Sequence, residues 1–281
     1  MNNICLNGKI IPGHEPVLMI DNKNYRYGDG LFETMKVSGK KINLERYHFE
    51  RFFSSLEIMG FTKPALLTIE RLQHVIGLLC EKNKCEALAR VRLTVFRGNG
   101  GVFENLDDFQ YTIECWPLDE SINRLNENGL LIDIFPDARK SCDKFSNIKS
   151  ANYLPYIMAA RHAKAHQLNE CLVLNVYERI ADATIANIFL IKDQTLITPP
   201  LAEGCVNGVM RRFIIERLQT GRLEWKVEER GISVNDVQQA DEVFLTNSIS
   251  GIRWVERFRD KIYTHPHTKN IYKELFQTIS A

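Results

Sequence analysis

Charge of one sign is what this sequence most clearly lacks. In 281 residues, 36 Lys and Arg meet 35 Asp and Glu, a formal net charge of +1. No overall field draws the chain to nucleic acid or to an anionic membrane. No run of about 18 apolar residues occurs, so no segment is expected to span a bilayer. The start, MNNICLNGKIIPG, has no basic stretch followed by a long apolar run, and no signal peptide is expected. The seven cysteines, Cys5, Cys80, Cys85, Cys115, Cys142, Cys171 and Cys205, contain no C-x-x-C. Their odd number, and their place in apolar runs such as ECLVL and YTIECW, point to buried reduced thiols. G-x-x-x-x-G-K-[ST] and G-x-S-x-G are both missing, which removes support for a P-loop and for a nucleophile elbow. His162 and His166 stand four apart on an expected helix, but the residues between them are Ala-Lys-Ala and the glutamate of H-E-x-x-H is absent. No metal site is expected there, and His265-Pro266-His267 reads as an exposed turn. A cytoplasmic enzyme or binding protein is the expectation.

Hydrophobic residues make up 44% and charged residues 25%, enough for a sizeable core. ICLNGKII reads as strands turning at Asn7-Gly8. LFETMKVSGKKIN reads as two strands around Ser38-Gly39. Asn43 is placed to cap a helix over LERYHFERFFSSLEIMG, stopping at Gly60. A second helix, about Leu67 to Asn83, carries Ile69, Leu72, Val75, Ile76 and Leu79 at helical spacing. ARVRLTVFRG and FQYTIECW are expected strands. The polar stretch LDESINRLNENG after Trp116-Pro117 divides the chain into residues 1–117, a linker at 118–124, and a larger domain at 125–281 carrying Lys149. In that second part GLLIDIFP and CLVLNV are expected strands around a Tyr153–His166 helix. ANIFLIKDQTLITPP reads as a hairpin turning at Asp193-Gln194, GVMRRFIIERLQT as a helix and DEVFLTN as a late strand. The expected fold class is α/β (α+β), in two domains with a cleft between them.

Four stretches carry groups whose chemistry fits together. Lys149 lies just ahead of the Tyr153–His166 helix; a lysine attacks carbonyls when its amine is neutral. Asp182, in RIADATIANIFLI, enters an apolar strand, where an unpaired carboxylate would be costly. A protonated ring nitrogen could pair with it, and so could the backbone of a turn. Gly204 and Gly208 precede a helix starting near Val209, whose first N–H groups can hold an anion. Thr246, Asn247 and Ser248 add donors at a strand end. Arg51 sits on a mostly apolar helix face, as a packed stem or as an oxyanion ligand. Together these are the parts needed to hold pyridoxal phosphate.

Seven stretches in order, YRYGDGLFETMKV, HFERFFSSLEIMGF, VRLTVFRGNGG, NIKSANYL, ADATIANIFLI, EGCVNGVMRR and DEVFLTNSISGI, resemble the class IV aminotransferases, the fold-type IV pyridoxal-phosphate enzymes. That group holds branched-chain and D-amino-acid aminotransferases and aminodeoxychorismate lyases. The resemblance runs from about Leu6 to Val255. It implies pyridoxal 5'-phosphate as cofactor, with Lys149 as the Schiff-base lysine and carrier of the substrate Cα proton. It implies that Arg51, the backbone amides of Val209 and Met210, and Asn247 with Ser248 bind the phosphate, and that Tyr153 bonds the phenolic oxygen. Asp182 stands where the family usually has Glu to meet the ring nitrogen, one methylene shorter. Tyr27 and Phe32 fall in the substrate pocket. Arg92 matches the carboxylate-binding position of branched-chain enzymes, and Arg97 that of D-amino-acid enzymes. Their odd spacing on one strand points them to opposite faces, so that one reaches substrate. Lyases of the family tend to carry GGRG, whereas this chain has GNGGVFE, with Val102 and Phe103. The implied activity is ping-pong transamination between an amino acid and a 2-keto acid, with 4-amino-4-deoxychorismate lyase as the alternative. The implied assembly is a homodimer acting on small molecules; from charge, hydropathy and motifs, no metal, nucleic-acid or membrane partner is expected.

Overall fold

Asn7 and Gly8 both take positive φ, 49° and 87°, and so join β1 (Asn3–Leu6) to β2 (Lys9–Pro12) as the expected hairpin. In the computed structural model, which describes residues 2–220 and 225–279, this hairpin opens the first of two units. That unit comprises Met1–Ile122 and Ile148–Asn152. It continues with α1 (Lys23–Tyr27), β3 (Gly30–Ser38), β4 (Lys41–Ile42), α2 (Glu45–Ile58), α3 (Ile69–Lys82), β5 (Leu88–Arg97) and β6 (Phe109–Pro117). Its antiparallel sheet runs in the order β2-β1-β6-β5-β3-β4. One face is apolar. Leu31, Met35, Val91, Leu93, Val95 and Ile113 pack there against Phe49, Phe52 and Leu56 of α2 and Leu72, Val75, Ile76 and Leu79 of α3. Period-two alternation sends Phe32, Thr34, Arg92, Thr94 and Glu114 to the other face, where Arg92 pairs in the ladder with Thr34 and Glu114.

Two local expectations shift. The residue capping α2 is Leu44, not Asn43; it takes a left-handed φ of 54° and makes no side-chain cap bond. The β3–β4 turn falls on Gly39 and Lys40, both with positive φ, one residue later than expected. The other end of α2 behaves as expected. Gly60 has φ 66°, its N–H donates to Glu57, and Phe61 N–H donates to Leu56, a Schellman closure. Thr68 caps α3 by accepting from Arg71 N–H at 3.2 Å.

All seven cysteines are free thiols, and six are buried. Cys80, Cys85 and Cys115 bring their sulfurs within 4.8 Å of one another in the first core. Cys85 and Cys115 each reach a backbone carbonyl, of Cys80 and Leu79. Burial pushes Cys85 up to about 12. These thiols act as small apolar groups with weak donors.

The second unit comprises Asn123–Asn147 and Tyr153–Ala281. Its elements are β7 (Leu130–Lys140), α4 (Leu154–Ala165), β8 (Glu170–Asn175), β9 (Ile180–Ala183), β10 (Asn187–Lys192), β11 (Thr195–Thr198), α5 (Val209–Thr220), β12 (Lys226–Glu229), α6 (Val234–Gln239), β13 (Glu242–Asn247), β14 (Gly251–Phe258), β15 (Lys261–Ile262) and α7 (Pro266–Ile279). The sheet order is β12-β11-β10-β13-β14-β7-β8-β9, with β15 on β14. Parallel pairs β11–β12, β14–β7 and β7–β8 mix with antiparallel ones. The β10–β11 hairpin turns at Asp193 and Gln194, with φ 47° and 59°. His265–His267 is not a free turn: His265 stacks on Trp254, and α7 begins at Pro266. The buried Glu242 carboxylate accepts from His267 N–H and Thr268 N–H, both at 2.8 Å, and so caps that helix. His162 and His166 stack ring on ring with centroids 4.0 Å apart. No helix among the described residues is long and apolar enough to cross a membrane.

Lys149 groups with the first unit, whereas the sequence reading put it in the second domain. The cause is backbone pairing. Ser150 bridges Leu31, Phe32 N–H donates to the Lys149 carbonyl at 2.9 Å, and Ala151 N–H donates to Gly30 at 2.8 Å. Ile148 drops into the first core.

Candidate active site

In the first unit the pinned Ile148–Asn152 segment presents Lys149. Its side chain is half-buried, with Nζ 4.7 Å from the centre of the Phe32 ring. Arg92 reaches the same ring, with Cζ at 3.7 Å, and its Nε donates to Thr94 Oγ1 at 3.2 Å. Arg97 points the other way. It stacks on Phe61 and donates to the carbonyls of Leu106, Met59 and Gly60 and to Asp29 at 2.6 Å. Its donors tie loops together, so Arg97→Ala should cost about 2–3 kcal/mol and lower the melting temperature by roughly 5 °C. Arg92→Ala should lower the melting temperature less. A thermal melt of the two variants checks the contrast. Tyr27 ends α1 and is exposed.

Arg51 lies on the helix side of this sheet. It forks onto Glu33, Nε to Oε1 at 2.7 Å and Nη2 to Oε2 at 2.6 Å. His48 Nδ1 meets Glu33 Oε2 at 2.7 Å. All three residues are buried. Burial pulls His48 down, against the pull of Glu33, so the imidazole is neutral and the Glu33 contact places its proton on Nδ1.

In the second unit Asp182, on β9, is buried and accepts four hydrogen bonds. Oδ2 receives Lys140 Nζ at 2.9 Å, Tyr156 OH at 2.8 Å and Val206 N–H at 3.0 Å. Oδ1 receives Asn187 Nδ2 at 3.0 Å. Burial and the Asp182 charge push Tyr156 well up, so its hydroxyl stays a donor. The Tyr153 ring lies tilted against Tyr156 with centroids 4.7 Å apart, and its hydroxyl donates to the Thr184 carbonyl at 3.2 Å.

Asn187 connects Asp182 to the start of α5. Its Nδ2 also donates to the Val206 carbonyl, and in the ladder it pairs with Thr246. A Cβ on Gly208 would stand 1.8 Å from Asn187 Oδ1, so only glycine lets the helix begin there. The amides of Val209 and Met210 open α5, where no carbonyl of the same helix can reach them. Thr246 Oγ1 is buried with no hydrogen-bond partner. Asn247 Oδ1 is turned into its own loop, accepting from Ile249 N–H, Ser250 N–H and the Ser250 hydroxyl. Ser248 follows in that half-buried loop.

The family model described as Amino-transferase class IV matches residues 30–258. This chain belongs to that family. A Methanocaldococcus jannaschii protein provisionally named a branched-chain-amino-acid aminotransferase is 26% identical over 281 residues, covering 97% of this chain and 93% of the relative. A Vibrio harveyi aminodeoxychorismate lyase is 24% identical over 236 residues, covering 83% and 84%. The crystal structure of a branched-chain aminotransferase from Thermoproteus uzoniensis superposes with a TM-score of 0.87 at 21% identity, covering 99% of this chain and 94% of that one. It shows the shared fold. The chain is thus an enzyme of the class IV pyridoxal-phosphate family, an aminotransferase or a lyase.

The residues present fit that cofactor. The opening amides of α5, the orphaned Thr246 hydroxyl and the Gly208 approach suit a phosphate, and the buried Asp182 carboxylate suits a ring nitrogen. Several residues here escaped the sequence reading: Glu33, His48, Lys140, Tyr156 and Asn187. One signal was available. A buried Asp182 required a cationic partner, and Lys140 ends a strand of the same domain.

Proposed function

We propose that this chain transfers the amino group of an amino acid to a 2-keto acid in two half-reactions, with Lys149 as the catalytic residue. The observation that carries this reading is the shared Phe32 ring: a lysine amine and an arginine guanidinium lie over one aromatic side chain. An amino acid offers a Cα proton and a carboxylate a short distance apart, which such a pair can serve together. Pyridoxal phosphate, when bound, supplies an aldehyde for amines and a ring that accepts the electron pair left on Cα. Lys149 carries the cofactor and, once released, takes and holds the Cα proton. Arg92 grips the substrate carboxylate, with Phe32 and Tyr27 beside it. Arg51, the Val209 and Met210 amides, Asn247 and Ser248 hold the phosphate, Tyr153 the phenolic oxygen, and Asp182 the ring nitrogen. The homodimer implied by the family resemblance and the cytoplasmic location expected from the sequence belong to the same reading; light scattering on a sizing column checks the first.

The test is a panel of amino acids supplied with a 2-keto acid. Equal amounts of a new keto acid and a new amino acid are expected. Pyruvate released from 4-amino-4-deoxychorismate with no keto-acid acceptor would establish the lyase instead. Arg92→Ala should raise KM about tenfold or more, the worth of one charge-assisted bond. Gly208→Ala should weaken cofactor binding about tenfold or more, because Asn187 is held by two bonds of its own and cannot yield. Cofactor titration of the apoenzyme reads that change.

A further inference from the structure

Asp182 is not an open carboxylate awaiting a ring. Each carboxylate oxygen offers about two acceptor directions. Three donors crowd Oδ2 and fill it, while Oδ1 takes one and keeps one position. One of those donors is a full positive charge. The Lys140 side chain is only 12% exposed and that of Asp182 3%, so water screens their attraction weakly. Lys140 also lies over the Tyr156 ring, with Nζ 5.3 Å from its centre, which fixes it on the Oδ2 side. Tyr156 and Val206 N–H hold the same oxygen from other directions.

From this geometry we infer that Lys140 is a positioning residue that sets the protonation of the cofactor ring. It turns Oδ1 toward the ring and balances the carboxylate charge, so that Asp182 holds a ring proton less tightly than a lone carboxylate would. The inference rests on the reading that Asp182 faces the ring nitrogen. A carboxylate stabilises a protonated ring in proportion to its uncompensated charge. An ammonium at 2.9 Å removes much of that charge. With pyridoxal phosphate bound, this pairing would leave its ring nitrogen able to give up its proton within an accessible pH range. The same pairing explains how the chain tolerates a buried carboxylate on β9 when no cofactor is present. A lone buried charge would be costly, whereas this one is paired with Lys140.

The experiment uses full-length holoenzyme reconstituted with pyridoxal phosphate labelled with nitrogen-15 in the ring. The ring-nitrogen signal is followed against pH by NMR, without substrate. In the wild type it should move between protonated and unprotonated positions within the range the enzyme tolerates. Lys140→Met should shift that midpoint upward by about one pH unit or more, a tenfold change in proton affinity. Lys140→Arg keeps the cation and should restore a midpoint near the wild type. Tyr156→Phe removes a neutral donor from the same oxygen and should move the midpoint less than Lys140→Met does. It also serves if Lys140→Met does not fold, since the Arg and Phe variants then supply the contrast of charge kept and donor lost. A wild-type ring that stays protonated throughout, or a Lys140→Met midpoint equal to the wild type, overturns the inference. Asp182→Asn separates this failure from that of the underlying reading. If Asp182→Asn shifts the signal toward the unprotonated position while Lys140→Met does nothing, Asp182 still faces the ring and only Lys140 is misassigned. If Asp182→Asn leaves the signal unmoved, Asp182 is not the ring partner and both fail.

Discussion

Lys149→Ala should lower turnover by about a thousandfold or more while leaving the fold intact. The two halves of this expectation come from different atoms. The Lys149 backbone is fixed by groups that the substitution does not touch: the Ser150 bridge to Leu31, the Phe32 N–H on the Lys149 carbonyl, the Ala151 N–H on Gly30, and Ile148 in the core. The half-buried side chain lies over the Phe32 ring. With the backbone anchors kept, its loss should change the melting temperature by roughly 5 °C or less. Catalysis, in contrast, loses both the group that carries the cofactor and the base that takes the Cα proton. Lys149→Arg should be nearly as inactive, since a guanidinium is always charged and can serve as neither nucleophile nor base. Turnover is read as keto-acid formation, and cofactor retention as what survives dialysis. Activity within tenfold of wild type in Lys149→Ala, on a folded protein, would remove Lys149 from its role.

The turns of this fold were legible because they are local. Asn7-Gly8 and Asp193-Gln194 take positive φ where the residues tolerate it, and Gly60 closes α2 for the same reason. The apolar spacing of Leu72, Val75, Ile76 and Leu79 gave α3 directly, and each is buried. The α2 cap was not legible. Asn43 has the right side chain, yet its backbone N–H is drawn to the Lys36 carbonyl, and the helix starts from Leu44 in a left-handed turn. Pairings over long separations were hidden as well. Lys140 and Asp182 lie 42 residues apart, and Glu33 and Arg51 lie 18 apart. A sequence shows that a buried charge needs a partner; only the sheet register shows which one it meets. Lys149 is the mixed case. Its chemistry was readable from its neighbours, but its attachment to the first unit depends on a bridge to β3 that no local pattern announces. Arg92 and Arg97 divided as odd strand spacing requires, one over Phe32 and the other over Phe61.

Glu33→Ala should strongly destabilise the first unit. It would leave the Arg51 guanidinium buried beside a neutral imidazole, with the fork it grips removed. Breaking a buried ion pair by removing one partner costs about 3–5 kcal/mol. For a chain of this size the melting temperature should fall by roughly 10 °C. Glu33→Gln keeps the shape and one acceptor and should cost less. The pH dependence follows from the same contacts. Burial pushes the Glu33 carboxyl up, but the Arg51 charge and the His48 hydrogen bond outweigh it and hold the group at about 2, below the ordinary 4.5. The unfolded chain therefore binds this proton first as pH falls. The contribution, roughly 3 kcal/mol, is whole above about pH 4.5 and drains away as pH drops toward 2. Wild type should lose stability through that window, and Glu33→Gln should lose less of it. Urea midpoints measured between neutral pH and pH 3 read the difference. Parallel curves for the two proteins would show that the Glu33 charge does not hold α2 to β3. The cofactor gives an independent check, because Arg51 is the side chain proposed to grip its phosphate. A Glu33 variant that stays folded but frees Arg51 to swing should lose phosphate-dependent affinity, and unphosphorylated pyridoxal should bind it no worse than it binds the wild type.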